Sequence, residues 1–319
     1  MKKLVCLLVV VCLVSTFVWA QNPTWRPSRN IDFIVTNSTG GGADIAARTL
    51  AQIIERENLL PSGVSIPVRN WTDGAGEAAR AHVSAMRPGA VADHLLLKFS
   101  GDDMVNMVVN TPRRVTDLNH LALFAAEKHL FYAPGDSNLK TFQAVQDAIR
   151  AGQRVRVGGS RGTDPTILDL LRAQMGWQES QIPYVTSQST GDAITQLLGG
   201  HLDLVISKPA AAHSFVEAGR LYPFVAFNTS RFSGNLAGAP TLSELGFRNI
   251  ELPNFRTVAS APAMSANAQA YWIDIIQKAC QTRQWAEFVE RFQVIDDFMV
   301  RPTQHLVGIQ NDVLRLIGR

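Results

Sequence analysis

The chain has 319 residues, 46% of them hydrophobic, and a formal charge of only +3, so it is long enough to bury the core of two lobes and lacks the basic excess that nucleic-acid binding requires. Cys6 and Cys12 lie in the first twenty residues, so a chain without that segment keeps only Cys280 and can form no internal disulfide.

Lys2 and Lys3 precede an apolar run from Leu4 to Ala20, and Val18 and Ala20 suit the −3 and −1 positions of a cleavage site before Gln21. Residues 1–20 are therefore expected to be a cleaved secretory signal, whose loss takes the formal charge to +1. A membrane anchor would need a longer apolar span, and a lipid-bearing Cys12 would need a small residue before it.

Ile31 to Val35 reads as a strand, and the helix after Gly42 sets Ala46, Leu50, Ile53 and Ile54 on one face. Between them, Gly40-Gly41-Gly42 leaves free backbone N–H groups at the positive end of a helix, where an anion is stabilised. The residues that follow are Ala43 and Asp44, so the spacing fits neither a P-loop, which needs G-K-[ST], nor a dinucleotide fingerprint. A carboxylate fits such a turn better than a phosphate chain.

The same strand–loop–helix arrangement recurs at 65–71, 94–99, 154–159 and 202–207, each strand followed by a loop rich in Gly, Ser, Thr or Asp and then a helix. Five such units predict an α/β fold with mostly parallel sheets, in which ligands sit at the carboxyl ends of the strands. The long apolar stretch 120–139 separates the first three units from the last two and places a crossing between lobes near residue 125. The expected organisation is a signal at 1–20, a first lobe over 21–125, a second lobe over 126–253, and a return to the first lobe over 254–319.

Together, "IDFIVTNSTGGGADIAARTLAQII", "NWTDGAGEAA", "YVTSQSTGDAITQLLGGHLDLVIS", "FVEAGRLYPFVAFNTSRF" and "APTLSELGF" resemble, in order, the solute-binding proteins of tripartite tricarboxylate transporters, the Bordetella uptake gene type. The resemblance runs from about Pro27 to the C-terminus. It implies a two-lobed periplasmic binding protein of type II topology, without cofactor or metal, closing as a monomer on a small carboxylate. The cargo would be a di- or tricarboxylate, an aromatic acid or an amino acid. It would pass to the membrane subunits of a transporter or, alternatively, be presented to a sensor histidine kinase.

By matching motifs, the resemblance implies ligand contacts at Thr36, Asn37, Ser38, Thr39, Gly40, Gly41, Gly42 and Asp44 in the first loop, and at Gly74, Ala75 and Gly76 in the second. It implies further contacts at Ser100, Gly101 and Asp102, and in the second lobe at Ser160, Arg161, Thr163, Asp164, Ser207 and Lys208. This chain departs from the family in having Asn37-Ser38-Thr39 where prolines usually stand. Its second loop is one residue longer and holds Asp73 and Glu77, and Asp102-Asp103 add further negative charge. A ligand with both an amino group and a carboxylate would suit such a mixture. Gly41→Val and Gly76→Val are each expected to weaken binding by about tenfold with little loss of stability.

Three other readings compete. Asp44 in the first turn of its helix is also explained by the helix dipole alone, at roughly 0.3–1 kcal/mol. Gly158-Gly159-Ser160-Arg161-Gly162 matches the nucleophile elbow of serine hydrolases, but Asp164 and Pro165 read as N-cap and first helical residue, which puts Ser160 about four residues too early for an elbow. The seven histidines are scattered and offer no metal spacing.

Overall fold

The computed structural model describes residues 25–252, 254–316 and 318; the expected signal lies outside the described residues. The strands are β1 (Asp32–Val35), β2 (Val68–Asn70), β3 (Leu95–Ser100), β4 (Asn119–Glu127), β5 (His129–Pro134), β6 (Val157–Gly159), β7 (Tyr184–Thr186), β8 (Leu204–Ser207), β9 (Leu221–Phe227), β10 (Asn254–Ser260) and β11 (Met299–Val300). The helices are α1 (Gly42–Arg56), α2 (Glu77–Ser84), α3 (Ala90–Asp93), α4 (Gly101–Asn110), α5 (Phe142–Arg150), α6 (Thr163–Met175), α7 (Thr190–Leu198), α8 (Pro209–Glu217), α9 (Ala266–Cys280), α10 (Arg283–Phe292) and α11 (Thr303–Leu316). None of the described helices is long and apolar enough to cross a membrane.

Two sheets form, one in the order β11-β4-β10-β3-β1-β2 and the other β7-β6-β8-β5-β9. Each is covered on both faces, which is why strands such as β1 and β8 read as unbroken apolar runs. In the first lobe α1, α9 and α10 bury Leu50, Ile54, Trp272 and Trp285 against one face, while α4 and α11 bury Met104, Val108, Leu306 and Val313 against the other. In the second lobe α5 and α6 pack with Phe131 and Phe227, and α7 and α8 pack with Leu130 and Val205.

The sheets are less parallel than the repeated units suggested. β1 pairs in parallel with β2 and β3, and β6 with β7 and β8. β10 runs antiparallel between β3 and β4, and β5 antiparallel between β8 and β9. The cause lies in the two crossings: a strand that comes straight from the other sheet enters without a covering helix, so no βαβ unit dictates its direction. The apolar stretch 120–139 is two strands in two sheets, with Lys128 alone between β4 and β5. β4 belongs to the first sheet as far as Glu127. Asn254 opens β10 in the first sheet, and Lys128 is ion-paired to Glu251.

The start of α6 also differs from expectation. Its N-cap is Gly162, at φ +99°, and Thr163 opens the helix, so Asp164 and Pro165 lie inside the first turn. Asp164 folds back instead: its Oδ2 accepts the Ser160 amide at 2.7 Å and the Ser160 hydroxyl at 2.8 Å, an arrangement that closes the loop before the helix.

Candidate functional site

Five helices present their N-termini toward the cleft between the sheets: α1 and α4 from the first lobe, α6, α7 and α8 from the second. They bound a small cavity lined by Asn37, Gly41, Gly42, Ala43, Asp102 and Arg256 on one side and Ser160, Ser189, Thr190 and Lys208 on the other. The space left is about 10 Å³ for the centre of a water-sized body, roughly one water. The walls touch: a Cβ added to Gly41 would lie 3.1 Å from Ser189 Cβ, and one on Gly191 would lie 3.1 Å from the Gly40 carbonyl.

Lys208 bridges the lobes from this cavity. Its Nζ lies 3.0 Å from Asp102 Oδ2 in the first lobe and 2.6 Å from Asp164 Oδ1 in the second. Asp102 Oδ1 accepts the Thr163 amide at 3.1 Å and the Thr163 hydroxyl. On the first-lobe wall Arg256, from the central strand β10, is ion-paired through Nη2 to Glu127, and its Nε and Nη1 have no partner among the described residues.

Residues 100–315 match the family described as Tripartite tricarboxylate transporter family receptor. The chain belongs to this family. Its curated relatives include the UPF0065 protein in the gbd 5' region of Cupriavidus necator, 27% identical over 86% of this chain and 81% of that one. Among solved structures, the periplasmic binding protein BugD is 16% identical with a TM-score of 0.78, covering 92% of this chain and 96% of that one. MatC from Rhodopseudomonas palustris, solved with bound malate, is 17% identical with a TM-score of 0.76, covering 92% and 98%. These likenesses establish the α/β, two-lobed binding-protein fold, and membership of a receptor family means that the protein is not an enzyme.

The hydrolase-like motif agrees with that. Ser160 is buried, its hydroxyl donates to Asp164, and Lys208 Nζ stands 3.5 Å away. Among the described residues no imidazole is hydrogen-bonded to it: His129 Nε2 faces Thr163 Oγ1 at 2.9 Å and Asp164 at 3.3 Å. Asp102, His129 and Asp164 are close enough to share a metal ion, but the Lys208 ammonium already sits on both carboxylates, so the donor set fits a cation supplied by the chain itself.

The neighbouring acids Asp102 and Asp103 point opposite ways. Asp103 turns into the first lobe, where its Oδ2 accepts the Ser100 amide at 2.9 Å to complete a capping box at α4. It is ion-paired to Lys98 and Arg80, both at 2.9 Å. Burial works against the charge of both acids, yet Lys208, His129 and the Thr163 hydroxyl hold Asp102 below the usual carboxylate range, and Lys98, Arg80 and Thr36 do the same for Asp103. Burial alone would lower Lys208, but Asp102 and Asp164 raise it, so its ammonium is charged at neutral pH. Burial pulls Arg256 down to about 10, opposed by Asp102 and Asp103, which leaves it protonated.

Of the residues singled out from sequence, the fold brings Asn37, Gly41, Gly42, Asp102, Ser160 and Lys208 to the cavity wall. Thr163 and Asp164 stand directly behind it through Asp102 and Lys208. Thr36 donates to Asp103, and Ser38 and Thr39 lie on the outer side of the first loop, Thr39 bonded to Asn70. Asp44 is spent on the Gly40 amide, Arg48 and Asn70, so it clamps the first loop rather than facing the cavity. Gly74 and Ala75 sit on the surface side of the second loop, and Gly76 packs beneath Thr36. Ser100 and Gly101 form the cap of α4, and Ser207 hydrogen-bonds the Lys208 carbonyl. Arg161 faces a separate surface pocket with Asn106, Asn110 and Asp169. Sequence reasoning missed Ser189, Thr190 and Arg256. Ser189 was findable as the N-cap of a helix within a quoted motif; Arg256 carried no signal beyond its place in a strand.

Proposed function

We propose that this protein is a periplasmic receptor that captures a small carboxylate between its two lobes and delivers it to the membrane subunits of a tripartite tricarboxylate transporter. One observation carries the reading: helix N-termini from both lobes converge with two buried cations, Lys208 and Arg256, on a single cavity. Such a wall offers an anion backbone amides and the unpaired N–H groups of Arg256, while its one carboxylate, Asp102, is already taken by Lys208 and Thr163. Family membership supports the transport role, and the malate held by MatC is a small carboxylate, the broad class of cargo proposed here.

In this reading the lobes comprise residues 25–127 with 254–316, and 129–252, and part about the paired passages at Lys128 and Glu251. The cavity residues Asn37, Gly41, Gly42, Asp102, Ser160, Ser189, Thr190, Lys208 and Arg256 form the ligand wall. Export follows cleavage of residues 1–20, and the receptor works as a monomer. A thermal-shift screen of the purified protein against small carboxylates, amines and neutral sugars tests this. Carboxylates alone should raise the melting temperature; stabilisation by sugars or amines with none by any carboxylate would overturn it.

A further inference from the structure

The two cations of the cavity differ in what their N–H groups have left to give. An ammonium has three N–H donors, and Lys208 Nζ has Asp102 at 3.0 Å, Asp164 at 2.6 Å and Ser160 Oγ at 3.5 Å. It is used up by the chain itself. Arg256 is 1% exposed, spends only Nη2 on Glu127, and among the described residues finds no acceptor for Nε and Nη1. A buried charged donor without an acceptor loses its hydration and gains nothing in return, so it is retained where something else supplies the acceptor. Arg256 also sits beside the start of α1, through the nitrogen given to Glu127: a Cβ on Gly42 would come within 3.2 Å of Nη2 and 3.7 Å of a Glu127 carboxylate oxygen, and Gly42 and Ala43 line the same cavity. An acid group held by the free Nε and Nη1 would therefore lie in a cavity that the first turn of that helix also borders.

The charges around the site are otherwise balanced within the chain. Arg256 faces Glu127, Lys208 faces Asp102 and Asp164, and Lys98 and Arg80 face Asp103. A first carboxylate finds free donors; a second would find the remaining cations already neutralised and would approach the carboxylates of Asp102 and Asp164. Resting on the carboxylate reading above, we propose that Arg256 anchors a single ligand carboxylate, and that the sealed Lys208 makes this site select a small monocarboxylate over di- and tricarboxylates.

Titration calorimetry on the purified protein at pH 7 tests this with acetate, lactate, pyruvate and alanine on one side and succinate, malate, adipate and citrate on the other. The tightest binder should be a monocarboxylate, at least about tenfold tighter than any polyacid. Arg256→Lys should weaken it by about tenfold or more. The double variant Glu127→Gln, Arg256→Gln removes both charges of the pair without stranding either, and should abolish binding. A polyacid as the tightest binder overturns the proposal, as does a folded double variant that binds like the parent; either result leaves the receptor reading standing. A parent protein that binds none of these acids overturns both. Should the double variant fail to fold, the selectivity of the parent still decides.

Discussion

At the scale of single residues, the two glycines singled out in the cleft loops play different parts. Gly41 has φ −76° and ψ 158°, open to any residue, and its missing Cβ faces Ser189 of the other lobe at 3.1 Å. Gly76 has φ +79°, and a Cβ there would come within 2.5 Å of Thr36 Cβ, inside the first lobe. Gly41→Val should thus leave folding intact and wedge the lobes apart, weakening the best carboxylate by at least about tenfold, or 1.4 kcal/mol. Gly76→Val should instead destabilise the fold by on the order of 3 kcal/mol through left-handed strain and overpacking, contrary to the expectation drawn from the loop pattern alone. Urea unfolding and calorimetry on both variants separate the cases. Equal stability of the two proteins would mean that the Gly76–Thr36 contact relaxes at little cost.

At the scale of elements, the pairing of β4 with β10 encloses an imidazole that shapes the pH response. His120 is fully buried, with Nε2 3.0 Å from the Val115 carbonyl and Nδ1 3.3 Å from Thr257 Oγ1. Burial pulls its pKa from 6.5 to about 4, only partly opposed by the Val115 carbonyl. The unfolded chain therefore binds this proton below about pH 6.5 while the folded chain refuses it until about pH 4, so stability falls with falling pH across that window, by about 2 kcal/mol between pH 7 and 5. His129, also lowered by burial and by Lys208, acts in the same direction. His120→Gln should lose less stability than the parent between pH 7 and 5 when urea midpoints are compared. An equal loss in both proteins would assign the effect elsewhere.

The five strand–loop–helix units were legible because each joins a buried apolar run to a Gly- or Ser-bearing loop, as in "DFIV" before Gly40 and "LVIS" before Lys208. Strand direction was not: β5 and β10 take theirs from the lobe crossings, a tertiary fact with no local periodicity. β7 and β11, of three and two residues, are too short to show alternation. The first Gly loop of the candidate site could be read from residue types alone, whereas Arg256 could not. A lone arginine in "NFRTVAS" reads as an exposed strand position, and only the placement of β10 between β3 and β4 buries it beside the start of α1.

At the scale of the whole molecule, the pair between Lys208 and Asp102 couples lobe closure to electrostatics. Removing one partner of a buried ion pair typically costs about 3–5 kcal/mol when the other stays buried. Here the pair spans the cleft, so parting the lobes returns Lys208 to water, and the penalty falls on closure rather than on folding. Lys208 keeps Asp164 in its own lobe, so the penalty is partial, and Asp102→Asn should shift the molecule toward an open form by about tenfold, equivalent to roughly 1.4 kcal/mol. Small-angle scattering should then give a larger radius of gyration than for the parent, with little change in thermal midpoint. Asp164→Asn is the contrasting variant, because Asp164 holds the Ser160 loop within one lobe; it should lower the midpoint. If Asp102→Asn lowers the midpoint and leaves the scattering unchanged, the bridge serves folding, and closure is governed by other contacts such as Gly41 against Ser189.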